Sequence, residues 1–142
     1  MNRIFIDTWG WVNLFNPKER HHKQVSSLYR NLCITSGSIV TTDYVLDEVW
    51  TMLFKRVPFS SARKALEAVG QAVAQGYIVL ERISPERFEA AQQLRLRLQD
   101  KPDISFTDLT SMTVMEELGI TEIMTGDAHF THVGMGFILL PG

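Results

Sequence analysis

The sequence predicts an α/β fold, a three-layer α/β/α sandwich around a central parallel sheet. Two observations predict it. Short apolar strand-like runs alternate with amphipathic helical stretches from one end of the chain to the other. The chain also has 142 residues with no internal repeat, low-complexity segment or linker, the size of one domain spanning 1–142 with one core. Alternation of this kind places a parallel sheet under helices on both faces.

The elements follow in order. Arg3 to Ile6 is apolar and stops abruptly at Asp7, as a buried strand would. A helix is expected from Trp9 to Phe15, broken at Asn16-Pro17, and a second from Arg20 to about Leu32, with Val25, Leu28, Tyr29 and Leu32 at helical spacing. After a Ser36-Gly37 turn, Ser38 to Thr41 reads as a strand. Thr42 or Asp43 then caps a helix reaching about Phe54, before Pro58. Ser60 or Ser61 starts the next helix, which puts Ala62, Ala65, Leu66, Val69, Ala72 and Val73 on one face and stops at Gly76. Tyr77 to Leu80 is strand-like. Ser84 caps and Pro85 opens a helix carrying Phe88, Ala91, Leu94 and Leu98, with Arg87 standing where a capping box would have Glu. Ser105 begins a last helix, which Gly119 stops, and Glu122–Thr125 and Gly136–Leu140 are the final strands.

Composition narrows the function. Hydrophobic residues make up 45% and charged residues 21%, which excludes a disordered or fibrous chain. Fourteen basic against sixteen acidic residues give −2, so no blanket attraction to nucleic acid or anionic membrane is expected. The one cysteine, Cys33, cannot form an intrachain disulfide. No run approaches the ~18 apolar residues that cross a bilayer, and the N-terminus lacks the ~7–15 apolar residues of a signal peptide. A soluble, cytoplasmic protein without membrane contact is expected.

In open α/β sheets, sites form beyond the carboxyl ends of the strands, where strand order reverses. Four acids fall at that edge. Asp7 follows the first strand, Glu48 is on the helix after the second, Asp108 is in the first turn of the helix entering the fourth, and Asp127 lies just past the fourth. Singly, three have ordinary explanations: Asp7 as a helix cap, Asp108 as the far end of a capping box from Ser105, and Asp127 as a turn residue after Gly126. Glu48 resists this, because it shares the apolar face of Val45 and Met52, where an unpaired charge is costly. Converging carboxylates repel and raise one another's pKa, and a cation relieves the strain. Hard oxygens without clustered cysteine or histidine select Mg2+ or Mn2+ over zinc.

Other candidates are weaker. His129 and His132 lack zinc spacing, and His129 is expected to orient a loop. No phosphate-cradling glycine loop is present. Trp9, Trp11 and Trp50 read as core or interface residues in preference to base-stacking platforms. The basic residues at Lys18, Arg20 and Lys23 with His21 and His22, at Lys55-Arg56 and at Arg63-Lys64 read as solvated faces open to phosphate contact.

Phe5-Ile6-Asp7-Thr8, Asp43 to Trp50 with Glu48, Ser105-Phe106-Thr107-Asp108 and Thr125 to Phe130 together resemble the motifs of the PIN-domain family, in particular its VapC-like ribonuclease toxins. The resemblance spans nearly the whole chain. It implies a PIN-like parallel sandwich and maps Asp7, Glu48, Asp108 and Asp127 onto an acidic set that binds Mg2+ or Mn2+ for RNA hydrolysis. It also implies an RNA substrate, a cognate antitoxin protein and a homodimer. On this reading Asp7 and Asp108 are direct ligands, Glu48 and Asp127 complete the shell, and Asp103 is an additional outer candidate. Thr8 and Thr107 sit beside the acids as hydroxyls able to orient them.

Four carboxylates against two divalent ions balance in charge, and the rest of the chain is then at +2. A haloacid-dehalogenase-like phosphatase needs an Asp two residues after Asp7, where Trp9 stands. A response-regulator receiver needs paired acids at the first strand end, which are missing. The alternative function is a catalytically silent PIN-like module whose acidic cleft receives a basic partner tail.

Overall fold

The computed structural model describes residues 3–35 and 37–142. In chain order the elements are β1 (Arg3–Ile6), α1 (Thr8–Phe15), α2 (His22–Ile34), β2 (Ser38–Thr42), α3 (Asp43–Arg56), α4 (Phe59–Ala74), β3 (Ile78–Glu81), α5 (Pro85–Arg97), α6 (Phe106–Leu118), β4 (Glu122–Met124), α7 (His129–His132) and β5 (Ile138–Leu140). The strands form one five-stranded sheet in the order β3-β2-β1-β4-β5, with every pairing parallel. Helices flank it, as the alternating pattern required.

Topology sets the place of the site. The chain starts at the central strand β1, runs outward through β2 and β3, then crosses back to β4 and β5. Right-handed crossovers send the helices of the outward and return halves to opposite faces. Strand order therefore reverses between β1 and β4, which are paired through Ile4–Glu122, Phe5–Ile123 and Ile6–Met124. A crevice opens beyond their carboxyl ends.

The core is built from strand residues and the inward stripes of the helices, with Phe5, Ile6, Trp11, Leu53, Leu109, Met112, Met115 and Phe130 fully buried. Trp11 is a core residue whose indole N–H donates to Thr41 Oγ1 at 3.1 Å, while that hydroxyl donates to the Ile6 carbonyl at 3.0 Å. Gly10 lets α1 lie directly on the sheet: a Cβ there would stand 2.7 Å from Ile6 Cγ2 and 2.8 Å from the Met124 carbonyl oxygen.

Several boundaries differ from the sequence expectation, each for a local reason. The helix α2 starts at His22 instead of Arg20, because the preceding turn is held by side-chain amides: Asn16 Oδ1 accepts from Lys18 N and Asn13 Oδ1 from His21 N. Neither Ser60 nor Ser61 caps α4, which begins at Phe59, where the Pro58 carbonyl accepts from Ser61 and Ala62. Strand β3 is shifted by one residue to Ile78–Glu81, β4 ends at Met124 and β5 starts at Ile138, after Gly136 at φ +82°. The four-residue α7 is additional. The Ser36-Gly37 turn falls partly on Ser36, outside the described residues. Arg87 replaces the capping-box Glu because it has another task, holding Glu81 at 2.9 Å and Glu117 at 2.7 Å and so tying β3, α5 and α6 together. Among the described residues no helix is long and apolar enough to cross a membrane.

Candidate active site

Each acid reaches the crevice for a local structural reason. Asp7 is the first residue after β1 and the N-cap of α1, where its Oδ1 accepts from Gly10 N at 3.0 Å. It does cap, as one ordinary reading had it, but it is also 3% exposed and faces other acids. Glu48 comes from the second turn of α3, which Thr42 caps by accepting from Val45 N. The Thr8 hydroxyl donates to Glu48 Oε1 at 2.8 Å, so the residue after Asp7 holds Glu48 in place. Asp108 sits in the first turn of α6. Ser105 Oγ caps that helix by accepting from Asp108 N at 3.1 Å, and the Asp108 carboxyl faces the cleft. Asp127 lies in the loop after β4, where Thr125 Oγ1 accepts from its backbone N–H at 3.0 Å.

The four acids expected from the sequence line one open cavity of about 440 Å³, together with Thr8, Trp9, Asp103, Ser105, Gly126 and His129. Thr107 contributes differently: its carbonyl accepts from the Thr110 hydroxyl within α6. Electrostatics reflect the crowding. Burial pushes the Asp7 carboxyl up from 3.8 to about 7, aided by the charges of Asp127 and Glu48 and opposed by hydrogen bonds from Thr125 and Gly10. Asp108 is also held well above the carboxylate range, first by burial, then by the charges of Asp7 and Asp127 and a hydrogen bond with Asp127. Such a cluster favours protons or a cation.

His129 has a larger place than the sequence reading gave it. It does orient the loop, its backbone N–H donating to Asp127 Oδ1 at 2.9 Å. Its ring also enters the cleft, with Nδ1 3.1 Å from the same oxygen. Donor atoms of Asp108, Asp127 and His129 lie within 4.8 Å of one another, a spacing able to hold an ion. The signal was Thr125-Gly126-Asp127-Ala128-His129 itself, a short loop that returns the histidine toward the aspartate. Gly126 matters for a second reason: a Cβ there would stand 2.5–2.7 Å from the Trp9 indole, which packs on the bare backbone at the lip of the cleft.

A parallel sheet in this strand order, with acids from four separate segments meeting at its switch point, agrees with the comparison to known families: the PIN domain model matches residues 4–135. The chain belongs to the PIN domain family. Among PIN relatives, the 23S rRNA-specific endonuclease VapC20 of Mycobacterium tuberculosis is 28% identical over 131 residues, covering 92% of this chain and 94% of that protein. The crystal structure of VapC20, a Sarcin-Ricin loop cleaving toxin, superposes with a TM-score of 0.78 at 27% identity, covering 95% of this chain and 96% of that one. VapBC2 from Rickettsia felis, solved bound to a DNA fragment from its promoter, shares the PIN fold, with a TM-score of 0.71 at 17% identity over 96% of both chains.

Proposed function

We infer that this chain is a divalent-metal-dependent endoribonuclease that hydrolyses RNA phosphodiesters, the toxin of a toxin–antitoxin pair. The relationship to VapC20 supports ribonuclease chemistry. The observation that carries the metal dependence is the convergence of Asp7, Glu48, Asp108 and Asp127 on one cavity, two of them holding protons far above their ordinary range. The donor set fits a hard ion: carboxylate oxygens with one imidazole and no thiolate suit Mg2+ or Mn2+.

In this reading Asp108, Asp127 and His129, with Asp7 and Glu48 from the same cavity, would hold the ion. His129 belongs to the same tight donor group as Asp108 and Asp127, and the exposed Asp103 lines the cavity beside them. When bound, the ion supplies Lewis-acid activation of the phosphate and a lowered pKa for the attacking water. The chain's own residues supply order. The Gly10 N–H fixes the Asp7 carboxyl, the Thr8 hydroxyl fixes Glu48, and the His129 N–H fixes Asp127, so the oxygens are positioned before substrate arrives. With its acids neutralised, the cleft no longer repels a phosphodiester.

The 142 residues act as one PIN unit in this proposal, working as a homodimer in the cytoplasm and restrained by a cognate antitoxin. A basic side chain from that partner, set among the four acids, would neutralise them and compete with metal. The test is cleavage of defined RNAs, a sarcin–ricin-loop hairpin first among them. Magnesium-dependent phosphodiester cleavage that stops with chelator is expected. An RNA panel left intact in both Mg2+ and Mn2+ contradicts the enzyme and favours a silent module.

A further inference from the structure

Beside the acid cleft lies a second groove of about 360 Å³, and the two share Trp9. Its walls are Trp9, Val12 and Asn13 of α1 and Met52 and Arg56 of α3, with Glu19, Arg20 and His21 of the loop after α1 on a third side. Glu48, Met52 and Arg56 recur at four-residue intervals, so one face of α3 leads from the acids to Arg56, about 12 Å along the helix. A strand of nucleic acid leaving the acid cleft along that face meets an aromatic ring first and cationic groups after it.

We propose that this groove is a nucleotide subsite of the ribonuclease reading, in which a base flanking the scissile phosphate stacks on Trp9 and the adjoining phosphate contacts Arg56 and Arg20. The inference rests on that reading and extends it to substrate positioning. Single-stranded RNA is recognised by stacking of splayed bases on aromatic rings, combined with cations that track the backbone. The parts are built for it. Trp9 is half-buried, wedged on the bare backbone of Gly126, and 5.3 Å from the His21 ring with their planes at 42°. Buried Asn13 locks these two aromatics together: its amide N–H donates to the Trp9 carbonyl at 2.9 Å and its Oδ1 accepts from His21 N at 3.1 Å. Arg20 is exposed at the rim. Among the described residues Arg56 pairs with Glu19 alone, at a long 3.5 Å, while Asn16 Nδ2 donates to the same Glu19 oxygen at 2.8 Å, so the arginine can turn to a phosphate and leave Glu19 partnered. Continuity with the acid cleft through Trp9, and the two exposed arginines in the groove wall, favour the nucleotide.

The experiment measures binding of a fluorescein-labelled single-stranded RNA 12-mer by polarisation, in magnesium, using the Asp108→Asn chain as the non-cleaving parent. Trp9→Ala is expected to weaken binding about tenfold, while Trp9→Phe, which keeps a stacking face, stays within about twofold. Arg20→Ala and Arg56→Ala each weaken it and each lower the slope of log affinity against log salt by about 0.7. Both arginines are exposed, so these variants report even where Trp9→Ala disturbs α1. Arg63→Ala, on α4 and paired with Glu67, is the control and leaves binding and slope unchanged. Wild-type-like binding by all the groove variants, or an Arg63 effect equal to that of Arg56, overturns the subsite and leaves the groove to a protein partner. Cleavage of the defined RNA panel by the unsubstituted chain, in Mg2+ and in Mn2+, is scored separately. Cleavage with groove-independent binding overturns the subsite alone, groove-dependent binding without cleavage supports the subsite and overturns the enzyme, and absence of both overturns both.

Discussion

The Thr8 hydroxyl donates to Glu48 Oε1 across 2.8 Å, joining the start of α1 to the second turn of α3. Because Asp7 immediately precedes Thr8, one tight turn supplies an acid to the cleft and also restrains the acid that faces it. Val at position 8 keeps the shape and removes the donor. Thr8→Val is expected to leave the fold intact while lowering metal affinity or cleavage rate about tenfold, the usual effect of losing a hydroxyl that orients a ligand. Metal titration beside a thermal melt separates the two quantities.

Asp7 and Asp108 keep their protons to higher pH in the fold than in the unfolded chain. Between about pH 4 and 8 the folded state thus binds more protons, and without metal its stability falls as pH rises through that window. Asp7→Asn removes one of the two groups and lowers the other's pKa by deleting its charge, while the Asn side-chain oxygen can still cap α1. The variant is expected to melt at or above wild type in chelator at pH 8, with a flatter pH dependence. Millimolar magnesium should raise the wild-type midpoint and the variant's much less, since an ion bound only by the folded state stabilises it by mass action. Melts with chelator and with magnesium, at pH 5 and 8, check this; a variant that is less stable in chelator and gains equally from magnesium would reduce Asp7 to a cap.

Ser105 and Asp108 divide the labour at the start of α6. The serine oxygen accepts from Asp108 N, so Ser105→Ala should cost about 1 kcal/mol of stability and leave cleavage largely intact. Asp108→Asn should do the opposite, losing most activity with the fold preserved. Melting temperature and initial cleavage rate, measured on both variants, read the division. Activity equal to the unsubstituted chain in both variants would end the assignment of Asp108.

Much of this arrangement was legible before folding. The end of β1 at Asp7, a cap of α3 at Thr42 or Asp43, which the structure places on Thr42, the Ser84 cap of α5 and the Ser105 cap of α6 follow from local chemistry, and they fix where three of the acids stand. Glu48 was legible because a carboxylate on an apolar helical stripe needs a reason. What escaped depended on distant partners. The start of α4 uses a proline carbonyl, which carries no side-chain signal. The place of Trp9 at the cleft lip depends on Gly126, far along the chain. His129 enters the acid set only because a four-residue helix turns its ring back toward Asp127.

The most direct test of the acid cluster as a metal centre is uptake of Mn2+, followed by loss of the free-ion signal in electron paramagnetic resonance as protein is added. The unsubstituted chain is expected to remove Mn2+ from solution at pH 8 and to release it as pH falls to 5, where Asp7 and Asp108 take protons. The Asp7→Asn, Asp108→Asn double variant, confirmed folded, is expected to leave the signal unchanged. Uptake by the double variant equal to that of the unsubstituted chain would contradict the site.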